Sequence, residues 1–239
     1  MRSTSRKTVK ILLMLCITFI ALFLTAPAKA SAETVNRPIG NEFVSYLYDL
    51  KCRVLTSGTG SSLGTVEIFG VDGAETHITI PDTVLVFNDD YSSEEFTVVS
   101  IAPSAFKNNT NIRSFTISST SHVSVIPKNC LANCKNLTTV SLYNIKTIET
   151  GAFNKCISLK NLGVYDDALK TIGKNAFKQC KKLDYFTIWD SKLKSVGKNA
   201  FKGTKNRLTI YSRSKKNYNL VKKSGGTNNL RFIKITGNF

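Results

Sequence analysis

Catalysis and metal binding have few residues to work with in this sequence. The histidines are His77 and His122, each without a nearby carboxylate pair or a cysteine at zinc spacing. A lone histidine of this kind reads as structural rather than as a base or ligand. Asp166 and Asp167 stand together in a turn-like stretch and read as a solvated pair, not a cation site. No phosphate loop, nucleophile elbow or zinc signature occurs. The sequence therefore predicts no enzyme, no metal and no cofactor. The cysteines are more instructive. Cys134, Cys156 and Cys180 fall at one phase of a repeating pattern, where Asn109 and Thr204 stand in the first and last copies. Cys130 aligns with Ala105, Ala152, Ala176 and Ala200. A residue that exchanges with alanine is a small buried packer. With Cys52, these positions predict buried thiols rather than a disulfide framework.

The pattern that sets these phases organises the chain. Ile172-Gly-Lys-Asn-Ala-Phe-Lys-Gln-Cys-Lys-Lys-Leu183 and the following Phe186 and Ile188 have counterparts starting at Ile101, Ile126 and Ile148, and Val196 begins a fifth copy that reads as shortened. The aromatic phase runs Phe106, Leu131, Phe153, Phe177 and Phe201, in steps of 25, 22, 24 and 24 residues. Self-similarity at this period means a solenoid whose units bury their apolar faces only by stacking. Each copy ends in an alternating segment such as Phe186-Thr-Ile188, which is a short strand. One strand per coil at fixed phase builds a parallel sheet with neighbours about 4.8 Å apart. The other half, Ile-x-x-x-Ala-Phe-x-x-Cys, places its apolar residues on one face of a helical turn. A further apolar row joins the halves at Val98, Val123, Ile145, Leu169 and Leu193. The expected architecture is an α+β repeat solenoid, right-handed as parallel crossovers are.

Two surfaces remain after the inward residues are assigned. On the sheet, the outward residues include Tyr185, Thr187 and Thr209, and the last outward position of each strand reads Ser118, Tyr143, Tyr165, Trp189 and Tyr211. Four aromatics in succession beside small hydroxyls suit flat contact with protein or with sugar rings; the same rings can also stack on one another and simply stabilise the sheet. On the other half, Lys128, Lys174 and Lys198 share one phase, and Lys107, Lys178 and Lys202 share another. A lysine stripe of this kind attracts anionic polymers, or is a solvated face without a partner.

The ends differ from the middle. Arg2, Arg6, Lys7 and Lys10 precede an apolar run from Ile11 to Leu24 and an Ala28-x-Ala30 site, so residues 1–30 read as a secretory signal peptide. No later stretch approaches membrane-spanning length, and the mature chain is expected to lack a membrane span. Residues 31–45 read as a loose leader, and 40–95 as a β-rich N-terminal cap with strands near 46–55, 65–69 and 77–80. The repeats cover about residues 96–211. Residues 212–239 read as a C-terminal cap, with a helix over 214–223 and a strand over 230–235. Charge is uneven: residues 31–105 hold 3 basic and 11 acidic residues, net −8, while 106–239 hold 25 basic and 5 acidic, net +20. The export signal and the lack of a nucleic-acid motif argue against a nucleic-acid partner. Anionic cell-wall polymers, acidic glycans or acidic proteins fit the exported compartment better.

The unit Ile-Gly-x-x-Ala-Phe-x-x-Cys-x-x-Leu-x-x-Phe/Leu-x-Ile resembles the BspA-like leucine-rich repeat family of bacterial surface proteins, over about residues 96–211. The resemblance implies a leucine-rich-repeat coil with a parallel β-sheet on one face and short helical turns on the other. It also implies a secreted or cell-surface protein that mediates adhesion or protein recognition, often of host matrix proteins. Together these readings lead to recognition through the sheet face at Tyr143, Tyr165, Tyr185, Thr187, Trp189, Thr209 and Tyr211. The alternative is an envelope-associated structural protein held on anionic wall polymers by its lysines.

Overall fold

The computed structural model describes residues 37–59, 62–88, 92–189, 193–204, 207–225 and 229–236. The expected signal peptide and the first residues of the leader lie outside them. In chain order the strands are β1 (Glu42–Val44), β2 (Leu50–Thr56), β3 (Gly64–Val71), β4 (His77–Ile80), β5 (Thr83–Phe87), β6 (Ser93–Ile101), β7 (Ser114–Ile117), β8 (Val125–Ile126), β9 (Thr139–Leu142), β10 (Thr147–Ile148), β11 (Asn161–Val164), β12 (Thr171–Ile172), β13 (Tyr185–Ile188), β14 (Ser195–Val196), β15 (Thr209–Ser212) and β16 (Arg231–Lys234), with helix α1 (Lys215–Lys223) between the last two.

The repeat period becomes a seven-stranded sheet in the order β16-β15-β13-β11-β9-β7-β4. Its pairs are parallel, and the inward residues align across it as Phe115, Val140, Leu162, Phe186 and Ile210. These side chains are at most 2% exposed and form one core cluster with the rest of the repeat interior. A second parallel sheet, β14-β12-β10-β8, runs along the solenoid through the Ile/Val phase that opens each copy. The sequence pattern did not separate this sheet from the turn half, because two-residue strands leave too little alternation to see.

The turn half is not helical. The expected helix face between Ile172 and Cys180, and its counterparts, form consecutive turns; among the described residues the one α-helix is α1. Two positions per coil lie in the left-handed region, two residues before and two after the aromatic phase. They are Ser104 and Asn108, Asn129 and Asn133, Gly151 and Lys155, Asn175 and Gln179, Asn199 and Gly203, with φ between 55° and 76°. A right-handed helix cannot contain such residues, and asparagine and glycine bear them best. The turns alternate two kinds of backbone hydrogen bond. Lys178 N donates within the coil to Asn175 O at 3.1 Å, while Phe177 N donates to Ala200 O of the next coil at 2.7 Å. Leu131 to Ala152 and Phe153 to Ala176 repeat the inter-coil bond at 2.8 Å. Every second N–H of the turn half thus satisfies itself on a neighbouring coil, as a sheet does.

Successive coils approach closely at the Ile172-Gly173 and Val196-Gly197 steps. A Cβ on Gly173 would sit 2.6 Å from Thr150 N and from the Glu149 carbonyl carbon, and one on Gly197 would overlap Lys174 N. Neither neighbour is a flexible side chain, so the backbone itself must give. Gly197→Ala is expected to cost on the order of 1–3 kcal/mol by overpacking. The check is a lowered urea midpoint at unchanged m-value.

The N-terminal part is a five-stranded sheet, β1-β2-β3-β6-β5, in which β2–β3 is an antiparallel hairpin and β3–β6 is parallel. Two details differ from the sequence reading. The end of the polar leader forms β1, which pairs with β2 and is fixed by Arg53, whose guanidinium donates to Glu42 at 2.8 Å. And β4, expected as a third strand of the N-terminal cap, pairs in parallel with β7, so the long sheet begins at His77. At the other end α1 starts at Ser214, whose Oγ accepts from Lys216 N at 3.2 Å. β16 then closes the long sheet against β15.

Candidate functional site

The outward face of the seven-stranded sheet carries three rows whose register the strand pairs define. One contains His77, Ser114, Thr139, Asn161, Tyr185, Thr209 and Arg231; the next contains Thr79, Thr116, Ser141, Gly163, Thr187, Tyr211 and Ile233. Beyond the strand ends, Tyr165 N donates to Leu142 O at 3.1 Å and Trp189 N to Val164 O at 3.0 Å, which puts Tyr143, Tyr165 and Trp189 in the third row. Tyr211 is not their successor. It faces Thr187, because Ile210 pairs with Phe186, each nine residues after its own phenylalanine. The fifth copy is therefore not shortened up to this strand. Ser212 takes the place of Ile188, and the expectation that set Tyr211 after Trp189 is out of register by two residues.

The aromatic side chains group accordingly. Tyr143 and Tyr165 stack with ring centres 5.3 Å apart and planes 28° apart. Tyr185 and Tyr211 form a tilted pair at 6.0 Å. Trp189 lies under the guanidinium of Arg213 at 5.1 Å, within cation–π range. Tyr165 is 44% and Tyr185 40% exposed. The Tyr165 ring folds back over Gly163, and any side chain there would collide with it. A glycine inside a strand often marks such a close approach, so Gly163 was the available sequence signal for this seat. Arg213 left none. Thr187 is half-buried, and Thr209, at 6% exposed, is withdrawn from the surface by its neighbours.

The lysines of the turn half are mostly exposed, Lys178 being half-buried. They do not make the two continuous stripes that shared phase led us to expect. The carbonyls facing successive coils belong to Lys128, Thr150, Lys174 and Lys198 in one row and to Ala132, Asn154, Lys178 and Lys202 in the other. Lys107 sits before Ala132. In these two rows adjacent lysines thus occur only in the last two coils, at Lys174–Lys198 and Lys178–Lys202.

The residues with nucleophilic or acid–base chemistry are spent on the scaffold. Cys134, Cys156 and Cys180 each donate from Sγ to a carbonyl of the preceding coil, Phe106 O at 3.1 Å, Leu131 O at 3.1 Å and Phe153 O at 3.2 Å. All five described cysteines are free and buried. Burial pushes the Cys52 and Cys134 thiols up to about 12 and also raises Cys130, Cys156 and Cys180. Such thiols are inert. His77 is exposed and shares a 2.7 Å hydrogen bond with Ser114 Oγ on the next strand. Asp166 is not simply solvated: its carboxylate accepts from Asn144 N of the previous coil and from Ala168 N at 3.0 Å, closing the turn between strands. Among the described residues no group of three or more His, Cys, Asp or Glu side chains gathers to hold a metal, and no helix is long and apolar enough to cross a membrane.

Comparison with known proteins agrees with this geometry. The family model of the BspA type leucine rich repeat region matches residues 94–220 in six copies. No curated protein matches the chain. Among solved structures, a leucine rich repeat protein of T. pallidum is 20% identical over 67% of this chain and 68% of its own, with a TM-score of 0.50, a likeness of fold. A leucine-rich repeat protein from Bacteroides capillosus is 17% identical over 75% of this chain and 99% of its own, at a TM-score of 0.38. A leucine rich cell surface protein from Faecalibacterium prausnitzii is 20% identical over 75% of this chain and 56% of its own, at 0.36.

Proposed function

Because the chain belongs to the BspA-type leucine-rich repeat family, we propose that it is an exported, surface-located recognition protein that holds a partner protein against the outward face of its long sheet, without catalysis. The observation that carries this reading is the pair of exposed rings Tyr165 and Tyr185, with half-buried Tyr143 stacked on the first. Tyr165 and Tyr185 keep 44% and 40% of their surface open although each has a ring neighbour. Rings that served only the sheet would gain by covering that surface. Rigid aromatics lose little conformational entropy on binding and dominate interface energetics. The flat rows of threonine and serine beside them offer hydroxyls for adaptable hydrogen bonds. Export rests on the signal-peptide pattern of residues 1–30.

Contacts of this type are screened little by salt. Capture of extracellular matrix proteins by the immobilised full chain is expected to survive washing from about 0.15 M to about 1 M salt. Complete elution over that range would shift binding from the aromatic face to the lysines.

A further inference from the structure

Lys146, Lys170 and Lys194 stand on three successive coils at one phase, each directly before a short strand of the four-stranded sheet. Their backbones touch in sequence. Lys170 N donates to Lys146 O at 2.9 Å and Lys194 N to Lys170 O at 2.8 Å. All three side chains are exposed. In the N-terminal sheet, basic residues are matched to carboxylates, as in Arg37–Glu94, Arg53–Glu42 and Lys51–Asp72. The three lysines have no carboxylate within salt-bridge distance among the described residues. Like charges directly opposite each other on neighbouring strands destabilise a sheet, and here they recur at a strand spacing of about 4.8 Å. A scaffold selected for stability alone would interpose acids or hydroxyls; the column has a hydroxyl residue only at its start, Ser124, whose backbone carbonyl accepts from Lys146 N at 2.8 Å.

We infer that this column is a binding site for a linear, non-aromatic phosphate polymer laid along the solenoid axis. The site is separate from the sheet face proposed above and does not depend on that reading. A flexible ammonium binds phosphate as a point charge, whereas planar bidentate recognition of carboxylates calls for arginine; the cations of the column are all lysines. An evenly charged chain meets one cation per coil, and its approach relieves the repulsion within the column. The net charge of +20 over residues 106–239 favours its arrival. The row beside the lysines is Val125, Thr147, Thr171 and Ser195, which offers no ring for a base to stack on. That chemistry fits a phosphate polymer without bases better than nucleic acid.

The test titrates the full chain with inorganic polyphosphate and, separately, with poly(glycerol phosphate), at low and high salt. The K146Q/K170Q/K194Q variant is expected to bind at least about tenfold more weakly at low salt, with a shallower salt dependence. A control with the same charge change elsewhere, K135Q/K155Q/K181Q, is expected to stay within about threefold of the unaltered protein. Weakening toward both polymers identifies the phosphate chain as what is recognised, and weakening toward one identifies its source. Without polymer, the melting temperature of K146Q/K170Q/K194Q is expected to be equal or higher, whereas a purely structural role for the lysines would lower it. Equal losses in the two variants, unchanged binding in K146Q/K170Q/K194Q, or single-stranded DNA binding as tightly as polyphosphate would each overturn the assignment.

Discussion

Phe177→Ala is expected to destabilise the protein by about 3–5 kcal/mol, the cost of emptying a fully buried aromatic site. Phe177 is 0% exposed. Its ring stacks on Phe153 at 5.2 Å and on Phe201 at 5.1 Å, with interplanar angles of 7° and 19°, and touches Phe186 at 6.1 Å. The truncation therefore removes contacts to the coil before and the coil after, and leaves a void that the inter-coil hydrogen bonds keep from closing. In a solenoid, stability is a sum of coil and interface terms, so position along the array matters. Phe106, in the first coil, has a ring contact with Phe115 at 5.6 Å and no aromatic stack on a following coil, where Leu131 takes the phase. Phe106→Ala is expected to cost less than Phe177→Ala in urea unfolding. Domain stabilities are commonly about 5–15 kcal/mol, so the Phe177 variant removes a large share. Equal midpoints for the two variants would contradict the stacking account.

Alkaline pH is expected to unfold the protein through its thiols. The ordinary thiol value is 9.0, and burial raises Cys52 and Cys134 to about 12, with Cys130, Cys156 and Cys180 raised as well. The unfolded chain therefore releases these protons at lower pH than the folded one. Their contribution to stability is complete below about pH 9 and is lost as pH rises toward about 12, at a slope on the order of 1.4 kcal/mol per pH unit for each thiol. Lysines and tyrosines also titrate in that window, so the measurement is comparative. Urea midpoints of the unaltered protein and of Cys156→Ala, taken between about pH 7 and about pH 10.5, should converge as pH rises, because the variant lacks one of the titrating groups. A constant gap would show that Cys156 titrates normally in the folded state.

Much of the scaffold was legible because stacking coils must repeat their inward residues. Phe106, Leu131, Phe153, Phe177, Phe201 and Leu183 follow inward from phase alone, and all are buried. What the pattern could not decide was the conformation between those residues. Apolar positions at Ile172, Ala176, Phe177 and Cys180 fit one face of a helix and equally fit a chain of turns. The deciding signal was polar: asparagine, glycine or glutamine two residues from the aromatic phase, as at Asn129, Asn133, Asn175, Gln179 and Asn199, where the backbone is left-handed. The cysteine phase was read as small and apolar. The structure adds a directional reason for it, since each thiol of Cys134, Cys156 and Cys180 donates to a carbonyl that alanine would leave without that bond.

On the surface, phase misled where copies differ in length or composition. Tyr211 was placed beside Trp189 because the fifth strand was aligned at Ile210 and Ile188; the pairing of Ile210 with Phe186 moves it beside Thr187 and Tyr185. Lys128 and Lys174 share a phase, but Thr150 lies on the coil between them. The lysines that stack without interruption, Lys146, Lys170 and Lys194, precede the short strands, in a part of the repeat whose sheet was not foreseen.

One comparison tests recognition through the sheet face most directly. Matrix proteins and cell-wall extract are passed over the unaltered full chain and over a variant in which Tyr143, Tyr165 and Tyr185 are serine, after circular dichroism shows that the variant keeps its fold. Loss of protein capture by the variant, with cell-wall retention unchanged, is the predicted result. Equal protein capture by both would contradict recognition through the sheet face.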